Sequence, residues 1–380
     1  MKAHEAHPVH GWTDSGYEGV RAAFADVIDA QPETPGQQLA VYRNGRLVVD
    51  LWAGPEVDGD SLFGVYSVSK GAVFMVVALL VQDGSLDLDR EVAAYWPEFG
   101  QAGKADITLR QLLAHQAGVI GVDEHFTVEE LADDRVLAER LAAQKPYWKP
   151  GTAFGYHGLV IGALVGEVVH RATGRTLHDW WEHRVRRPHG LSFHLGLPQE
   201  LEPRYRPMRP AAPEPGQITP PEDPPEGQDL GAIAFSTRHL PDLATFSNVR
   251  RVRELGQGSA GGVASARGAA GAYAALLGGL DGTPPLFTAD TVATFTRPHS
   301  VGPDVVTKAE SRFTLGFQLY DVRSPALGSQ AFGHAGAAGS AAFASPGLGI
   351  AYAYVRGQFA VGDAADRENT LLINEVLAAG

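Results

Sequence analysis

Apolar positions recur with different periods along this chain, and each period predicts a different element. Over residues 18–30, Val20, Ala23, Phe24, Val27 and Ile28 return at helical spacing, which predicts an amphipathic helix. Residues 39–43 and 46–52 are β-branched and apolar, and Asn44-Gly45 between them is the pair a two-residue type I′ hairpin turn requires. From near Ser67 to Gln82 the pattern changes again. Its middle, residues 73–81, is apolar on every side, which predicts a buried helix, and Gly84 sits where a left-handed residue would close it.

Further on, Thr108 can cap a short helix over 109–115. Thr127 with Glu130 has capping-box spacing and opens a predicted helix to about Ala143. Residues 159–172 and 176–187 predict two more helices, and the Ala/Gly-rich run 261–280 another. Strand-like runs return at 313–322, 340–344 and 350–355, before a helix over 367–378. Strands therefore gather at the two ends of the sequence and helices fill the middle. That order predicts an α/β (α+β) protein whose antiparallel sheet is built from both termini, flanked by helices, with an all-helical lobe inserted. The expected division is 1–66 plus 260–380 for the sheet lobe and 67–259 for the helical lobe, with the ligand site in the cleft between them. Within the helical lobe, residues 197–228 hold ten of the 25 prolines, a density that blocks helix and sheet and predicts an irregular excursion.

At 380 residues the chain can bury a sizeable core. Its 31 basic and 44 acidic residues give a net charge of −13, which disfavours nucleic acid and anionic membrane surfaces as partners. There is no cysteine, so disulfides, thiolate metal sites and a cysteine nucleophile are excluded. The longest apolar run, 72–81, is about half a membrane span. The first 13 residues carry three histidines and no apolar core, so no export signal is read there and a cytoplasmic protein is expected. His4, His7 and His10 lie on what reads as a loose terminus, where adventitious metal binding is the most expected. No metal or cofactor is otherwise predicted.

The candidate chemistry is Ser67-Val68-Ser69-Lys70. A serine hydroxyl needs a base within hydrogen-bond reach, and positions three apart on a helix share a face. Ser67 at the helix start also has free backbone N–H groups available for an oxyanion. A lysine in an apolar helix is expected to have a depressed pKa and so to accept a proton. With 16 Ser and 6 Lys, chance alone gives roughly 0.25 such pairs per chain. Its surroundings carry more weight.

In order along the chain stand Ser67-Val68-Ser69-Lys70-Gly71, Gly84-Ser85-Leu86-Asp87-Leu88-Asp89, Tyr95-Trp96-Pro97-Glu98-Phe99, Ile107 to Gly118 (with Leu112-Leu113-Ala114-His115-Gln116-Ala117-Gly118), and Lys149-Pro150-Gly151-Thr152. This set resembles the serine β-lactamase-related superfamily: class C β-lactamases, D-Ala-D-Ala peptidases and, closest in pattern, the family VIII carboxylesterases. The resemblance spans roughly residues 39–355. It implies three further assignments. Tyr156 in Tyr156-His157-Gly158 would match the family's Tyr-x-Asn tyrosine, serving as base for Ser67 and then as acid, its phenol acidified by Lys70. His334-Ala335-Gly336 would match the Lys-Thr-Gly motif, with His334 able to donate a hydrogen bond or to act as a second proton carrier near neutral pH. Ser67 and Ala337 would supply the oxyanion-hole N–H groups.

Two departures narrow the substrate. Gly158 replaces the motif's asparagine, removing a polar group that would face substrate or Lys70. His334-Ala335 replaces Lys-Thr, removing a constant positive charge. Both point from β-lactams toward esters. The expected activity is a carboxylesterase working through a Ser67 acyl-enzyme on a small-molecule ester or acyl donor. The alternatives are a transacylase delivering the acyl group to an amine or alcohol in natural-product assembly, a weak β-lactamase or D-amino-acid peptidase, and a catalytically silent ligand-binding homologue. Gly336, Ala337, His157, Tyr66, Trp148 and Phe126 are the expected substrate-binding residues, and Trp180 and Trp181 are further candidates for an acyl pocket. A Ser-His-Asp hydrolase is disfavoured because no serine sits in a Gly-x-Ser-x-Gly elbow, and a zinc enzyme because His-Glu-x-x-His is missing.

Overall fold

The computed structural model describes residues 8–31, 35–211, 229–240, 242–280 and 282–379. Twelve strands follow in chain order: β1 (His10–Thr13), β2 (Gln37–Arg43), β3 (Arg46–Ala53), β4 (Phe63–Gly64), β5 (Phe193–His194), β6 (Val263–Ala264), β7 (Ser300–Pro303), β8 (Glu310–Phe313), β9 (Gln318–Leu319), β10 (Phe332–Ala335), β11 (Ala341–Ser345) and β12 (Ile350–Arg356). Nine form one antiparallel sheet in the order β1-β3-β2-β12-β11-β10-β9-β8-β7, so its centre joins strands from the two ends of the sequence. Asn44 and Gly45 both take positive φ, 50° and 78°, as the type I′ turn between β2 and β3 demands.

Side chains alternate across the central strands, and both faces are covered. Leu39 and Val41 of β2, with Phe343, Tyr352 and Tyr354, face the helices Glu18–Asp29 and Ala364–Ala378. Ala40 and Tyr42, with Ala342, Ala344, Ala351 and Ala353, join the larger core on the other side. Those alanines meet the Ala/Gly-rich helix Ala266–Leu277, and small residues on both surfaces let helix and sheet approach closely.

The helix Ser69–Gln82 runs through that larger core, buried from Ser69 to Leu80. It ends as expected, with Gly84 at φ 78°. A separate small sheet, β4-β6-β5, ties the segment entering this helix to the rest of the helical region.

Several elements differ from their sequence expectation. Residues 127–143 form two helices, Val128–Leu131 and Asp134–Ala143, because Asp133 leaves helical geometry and caps the second. The helix expected over 176–187 begins at Leu177 and passes into a π-turn over Glu182–Arg186. Residues 313–322 divide into β8 and β9 around Gly316, whose φ is 101°. The terminus is not loose at His10: β1 pairs with β3, and the His10 ring stacks on Trp52 with centroids 6.5 Å apart. His4 and His7 lie outside the described residues, as do residues 212–228 of the Pro-rich run. The described part of that run is irregular apart from a 3-10 turn, Gln199–Arg204, containing Pro203. Among the described residues no helix is long and apolar enough to cross a membrane.

Candidate active site

Ser67 sits in a 3-10 turn, Tyr66–Val68, that feeds directly into the helix Ser69–Gln82. Entering this turn forces Tyr66 to φ 48°, an uncommon conformation for a bulky residue. The conformation is held by anchors on both sides. The Tyr66 hydroxyl reaches Ser247 Oγ at 2.9 Å and donates to Ala244 O at 3.2 Å, and its ring meets Phe359 edge-on. Val65 N–H donates to Gly262 O, and Gly262 N–H donates back to Ser69 Oγ. Tyr66 is therefore a fully buried anchor of the nucleophile turn and does not wall a pocket.

Lys70 is fully buried one turn beyond Ser67. Its Nζ lies 3.0 Å from Ser67 Oγ and 2.7 Å from each of two backbone carbonyls, Gly158 O and Ser259 O. Burial holds the amine well below its usual pKa. A neutral amine has two N–H donors and one lone pair. In that form the two carbonyls take the two donors and the lone pair faces the Ser67 hydroxyl; when protonated, the amine donates to all three oxygens. Where the family motif would offer Lys70 an asparagine side chain, the backbone carbonyl of Gly158 itself receives the amine.

Tyr156 approaches from the opposite side. Its hydroxyl donates to Ser67 Oγ at 2.8 Å, and the Lys70 amine lies 4.9 Å from the centre of its ring. The backbone N–H of Tyr156 donates to Asp304 Oδ2 at 3.0 Å, and the ring stacks on Phe313 at 5.8 Å. Burial raises the phenol pKa, and the hydrogen bond with Ser67 offsets only part of that rise. The shift is upward, opposite in direction to the expected acidified phenol, and Tyr156 donates to Ser67 as an O–H.

Three buried imidazoles surround this pair. His157 Nδ1–H donates to Gly155 O at 2.7 Å, and His157 backbone N–H donates to His115 Nδ1 at 3.2 Å. His115, at φ 61°, packs its ring against Tyr156 and Phe313. His334 on β10 donates from Nδ1 to Ala335 O at 2.8 Å and lies 5.8 Å from the Tyr156 ring. Burial depresses all three, His157 to about 4. His334 is therefore a neutral buried ring at neutral pH. Gly336 follows on the tight turn to β11. A Cβ at Gly336 would lie 2.5 Å from Val65 O, so its bareness lets this turn pack against the segment leading to Ser67. Gly336 N–H donates to Ser340 O, and Ala337 stands exposed at the tip.

The remaining expected pocket residues divide. Trp148 is half-buried, donates to Ala153 O and braces His157 edge-on. Phe126 and Trp181 are fully buried, and Trp180 is partly buried against the same core. Phe126 is core, with Arg140 over its ring; Trp181 is core and bonds Phe193 O; Trp180 bonds Thr173 Oγ1 between Arg175 and Arg184. The helical region is simply rich enough in aromatics to need them for packing. Phe235 is a site residue that the sequence alone does not single out. Its ring fills the space that a side chain at position 158 would need, with a Cβ there only 2.8 Å from Phe235 Cε1, and it also contacts the Tyr156 ring. His115 is visible within Leu112-Leu113-Ala114-His115 but carries no local signal of its role. Asp304 and Ser259 have no signal at all, since only tertiary contact brings them here. No cluster of three or more metal-ligating side chains occurs among the described residues.

A serine at a buried helix start, touched by a lysine amine and a tyrosine hydroxyl, fits a serine hydrolase built like a class C β-lactamase. The beta-lactamase family profile matches residues 24–375, and the chain belongs to that family. It is 30% identical over 369 residues to the Esterase/beta-lactamase LipL of Mycobacterium tuberculosis, covering 91% of this chain and 82% of the relative. The structure of EstA from Arthrobacter nitroguajacolicus Rue61a superposes with a TM-score of 0.89 at 39% identity, covering 97% of this chain and 98% of EstA. That of a family VIII carboxylesterase superposes at 0.88 and 32% identity, covering 98% of this chain and all (100%) of the other.

Proposed function

We propose that this protein is a carboxylesterase that cleaves small-molecule esters through an acyl-enzyme on Ser67. The observation that carries the reading is the single oxygen, Ser67 Oγ, held between Lys70 Nζ at 3.0 Å and Tyr156 Oη at 2.8 Å. As Ser67 Oγ attacks the ester carbonyl, its proton passes to the lone pair of Lys70. The backbone N–H groups of Ser67 and Ala337 receive the oxyanion. Tyr156 O–H then gives its proton to the departing alkoxide and is reprotonated from the Lys70 ammonium, which returns the amine to its neutral form. Water enters by the reverse path and releases the acid.

Two features favour an ester over a β-lactam. The place of the motif's asparagine side chain is filled by the apolar ring of Phe235. The place of its lysine holds the buried, neutral His334, which offers no fixed charge to a substrate carboxylate. The name of the family VIII carboxylesterase agrees with this reading, and that of LipL, an esterase/beta-lactamase, carries both activities. The test is turnover of short p-nitrophenyl esters together with fluorophosphonate labelling. Ser67→Ala is expected to lose both while keeping its fold, and retained turnover refutes the assignment. Cephalosporins are expected to be turned over at least 100-fold less efficiently than such esters, about 2.7 kcal/mol in barrier. Comparable rates would show that the two departures do not select the substrate.

A further inference from the structure

The lone pair of Lys70 points at Ser67 only while two carbonyls hold the two N–H bonds, and those carbonyls come from distant parts of the chain. Gly158 precedes the helix Ile161–Thr173, and Ser259 lies in the turn before β6. One buried side chain joins them. Gln257 donates from Nε2 to Leu159 O at 2.5 Å and accepts at Oε1 from Ala260 N–H at 2.7 Å. Leu159 directly follows Gly158. The Ala260 N–H belongs to the same peptide plane as the Ser259 carbonyl. The amide of Gln257 thus fixes the tilt of one carbonyl that receives Lys70 and the residue next to the other. Its orientation is determined, because a flipped amide would set N–H against N–H and oxygen against oxygen.

The turn is also pinned without Gln257. Ser259 Oγ accepts from Gly162 N–H at 2.8 Å, and Asp134 Oδ2 accepts from Gly258 N–H at 2.8 Å. A Cβ on Gly162 would lie 2.5 Å from the Gly258 carbonyl carbon, so the two segments meet at bare backbone. These contacts keep the segments together; the plane of the Ser259 carbonyl is set at the Ala260 N–H, which is shared between Gln257 Oε1 at 2.7 Å and the Gln257 backbone carbonyl at 3.2 Å. We infer that Gln257 is a positioning residue for acyl transfer, aligning the Gly158 and Ser259 carbonyls so that the Lys70 lone pair faces Ser67 Oγ. The inference rests on the proposed role of Lys70 as the proton acceptor.

The other titratable groups around Lys70 are Tyr156, His115 and His334, with His157 behind Tyr156 and Asp134 beyond Gly258. None of these is altered by a change at position 257. The experiment measures kcat, KM and the pH profile of kcat/KM on a p-nitrophenyl ester for the parent, Gln257→Met and Gln257→Glu. Gln257→Met keeps the volume and removes both hydrogen bonds. It is expected to lower kcat at least tenfold with KM within about threefold, at a thermal transition that shows it folded. Gln257→Glu puts a carboxylate against the two peptide segments whose carbonyls hold the amine, so Lys70 is expected to hold its proton to higher pH. The acidic limb of its profile is expected to move up by at least about one pH unit.

A folded Gln257→Met with parental kcat, or a Gln257→Glu limb that does not move, overturns the inference. If either variant fails to fold, the other decides. Lys70→Ala run alongside separates the two levels. Activity retained in Lys70→Ala refutes the proton path itself, whereas activity lost there beside parental Gln257 variants refutes only the role of Gln257.

Discussion

Replacing Tyr156 by phenylalanine removes one oxygen and nothing else. The hydroxyl makes its hydrogen bond to Ser67 Oγ at 2.8 Å, while the ring is held independently by Phe313, His115 and Phe235. Fold stability should therefore change by no more than the net worth of one hydrogen bond, about 0.5–1.5 kcal/mol. The catalytic effect depends on where the proton goes. If Lys70 takes the serine proton and Tyr156 serves the leaving group, the loss depends on how badly that group needs protonation. An alkyl ester expels a strongly basic alkoxide and should lose the full contribution of a general acid, about 10²–10⁴-fold, or roughly 2.7–5.5 kcal/mol. A p-nitrophenyl ester expels a weakly basic phenolate and should lose distinctly less, on the order of tenfold. The assay is kcat/KM for a matched pair, ethyl and p-nitrophenyl esters of one acid, in parent and variant. Equal losses on both substrates would refute the assignment of the two proton paths and place Tyr156 on the nucleophile's side.

The remaining predictions concern packing and pH. Gly336→Ala should displace the turn to β11, because the new Cβ lies 2.5 Å from Val65 O; a cost of about 1–3 kcal/mol and a loss of turnover larger than any change in KM are expected, and parental kinetics would show that this contact does not position the turn. The buried histidines should make the protein acid-sensitive. The folded pKa of His157 is about 4 against an unfolded value near 6.5, so below pH 6.5 the unfolded chain binds more protons and stability falls as pH falls, continuing until about pH 4. By pH 5 this group alone removes about 2 kcal/mol relative to pH 7.5, with His115 and His334 acting in the same direction. Urea unfolding at the two pH values checks this, and equal stabilities would contradict it.

The features legible in the sequence are those that depend on neighbours in sequence. The hairpin at Asn44-Gly45, the buried helix from Ser69 and its stop at Gly84 follow from local turn chemistry and hydrophobic period. The pairing of Ser67 with Lys70 follows from helical spacing. The short strands β7 to β10 carry two to four residues each, too few to show a period, and their pairing is settled by the sheet they join. Aromatic residues mislead for the opposite reason. Tyr66, Phe126 and Trp181 have the size of pocket residues, but nothing local distinguishes a ring that lines a cleft from one that fills a core.

The second motif shows how a departure in sequence is resolved in space. With glycine at 158 instead of asparagine, the sequence alone suggests that the substrate or Lys70 goes without one polar partner, and leaves open which. The structure separates the two. Lys70 keeps its partner, because a backbone carbonyl needs no side chain and Gln257 next to Leu159 can hold it in line. The substrate side is not restored by any polar group at that position; Phe235 occupies the space from a segment nearly eighty residues on. The glycine is thus required by the ring that covers it, since a Cβ at 158 would come within 2.8 Å of Phe235. A change at either position alone should be harmful, while the pair can change together. The proton machinery and the substrate surface thus meet at position 158 through different atoms: its carbonyl receives Lys70, and its missing side chain makes room for Phe235.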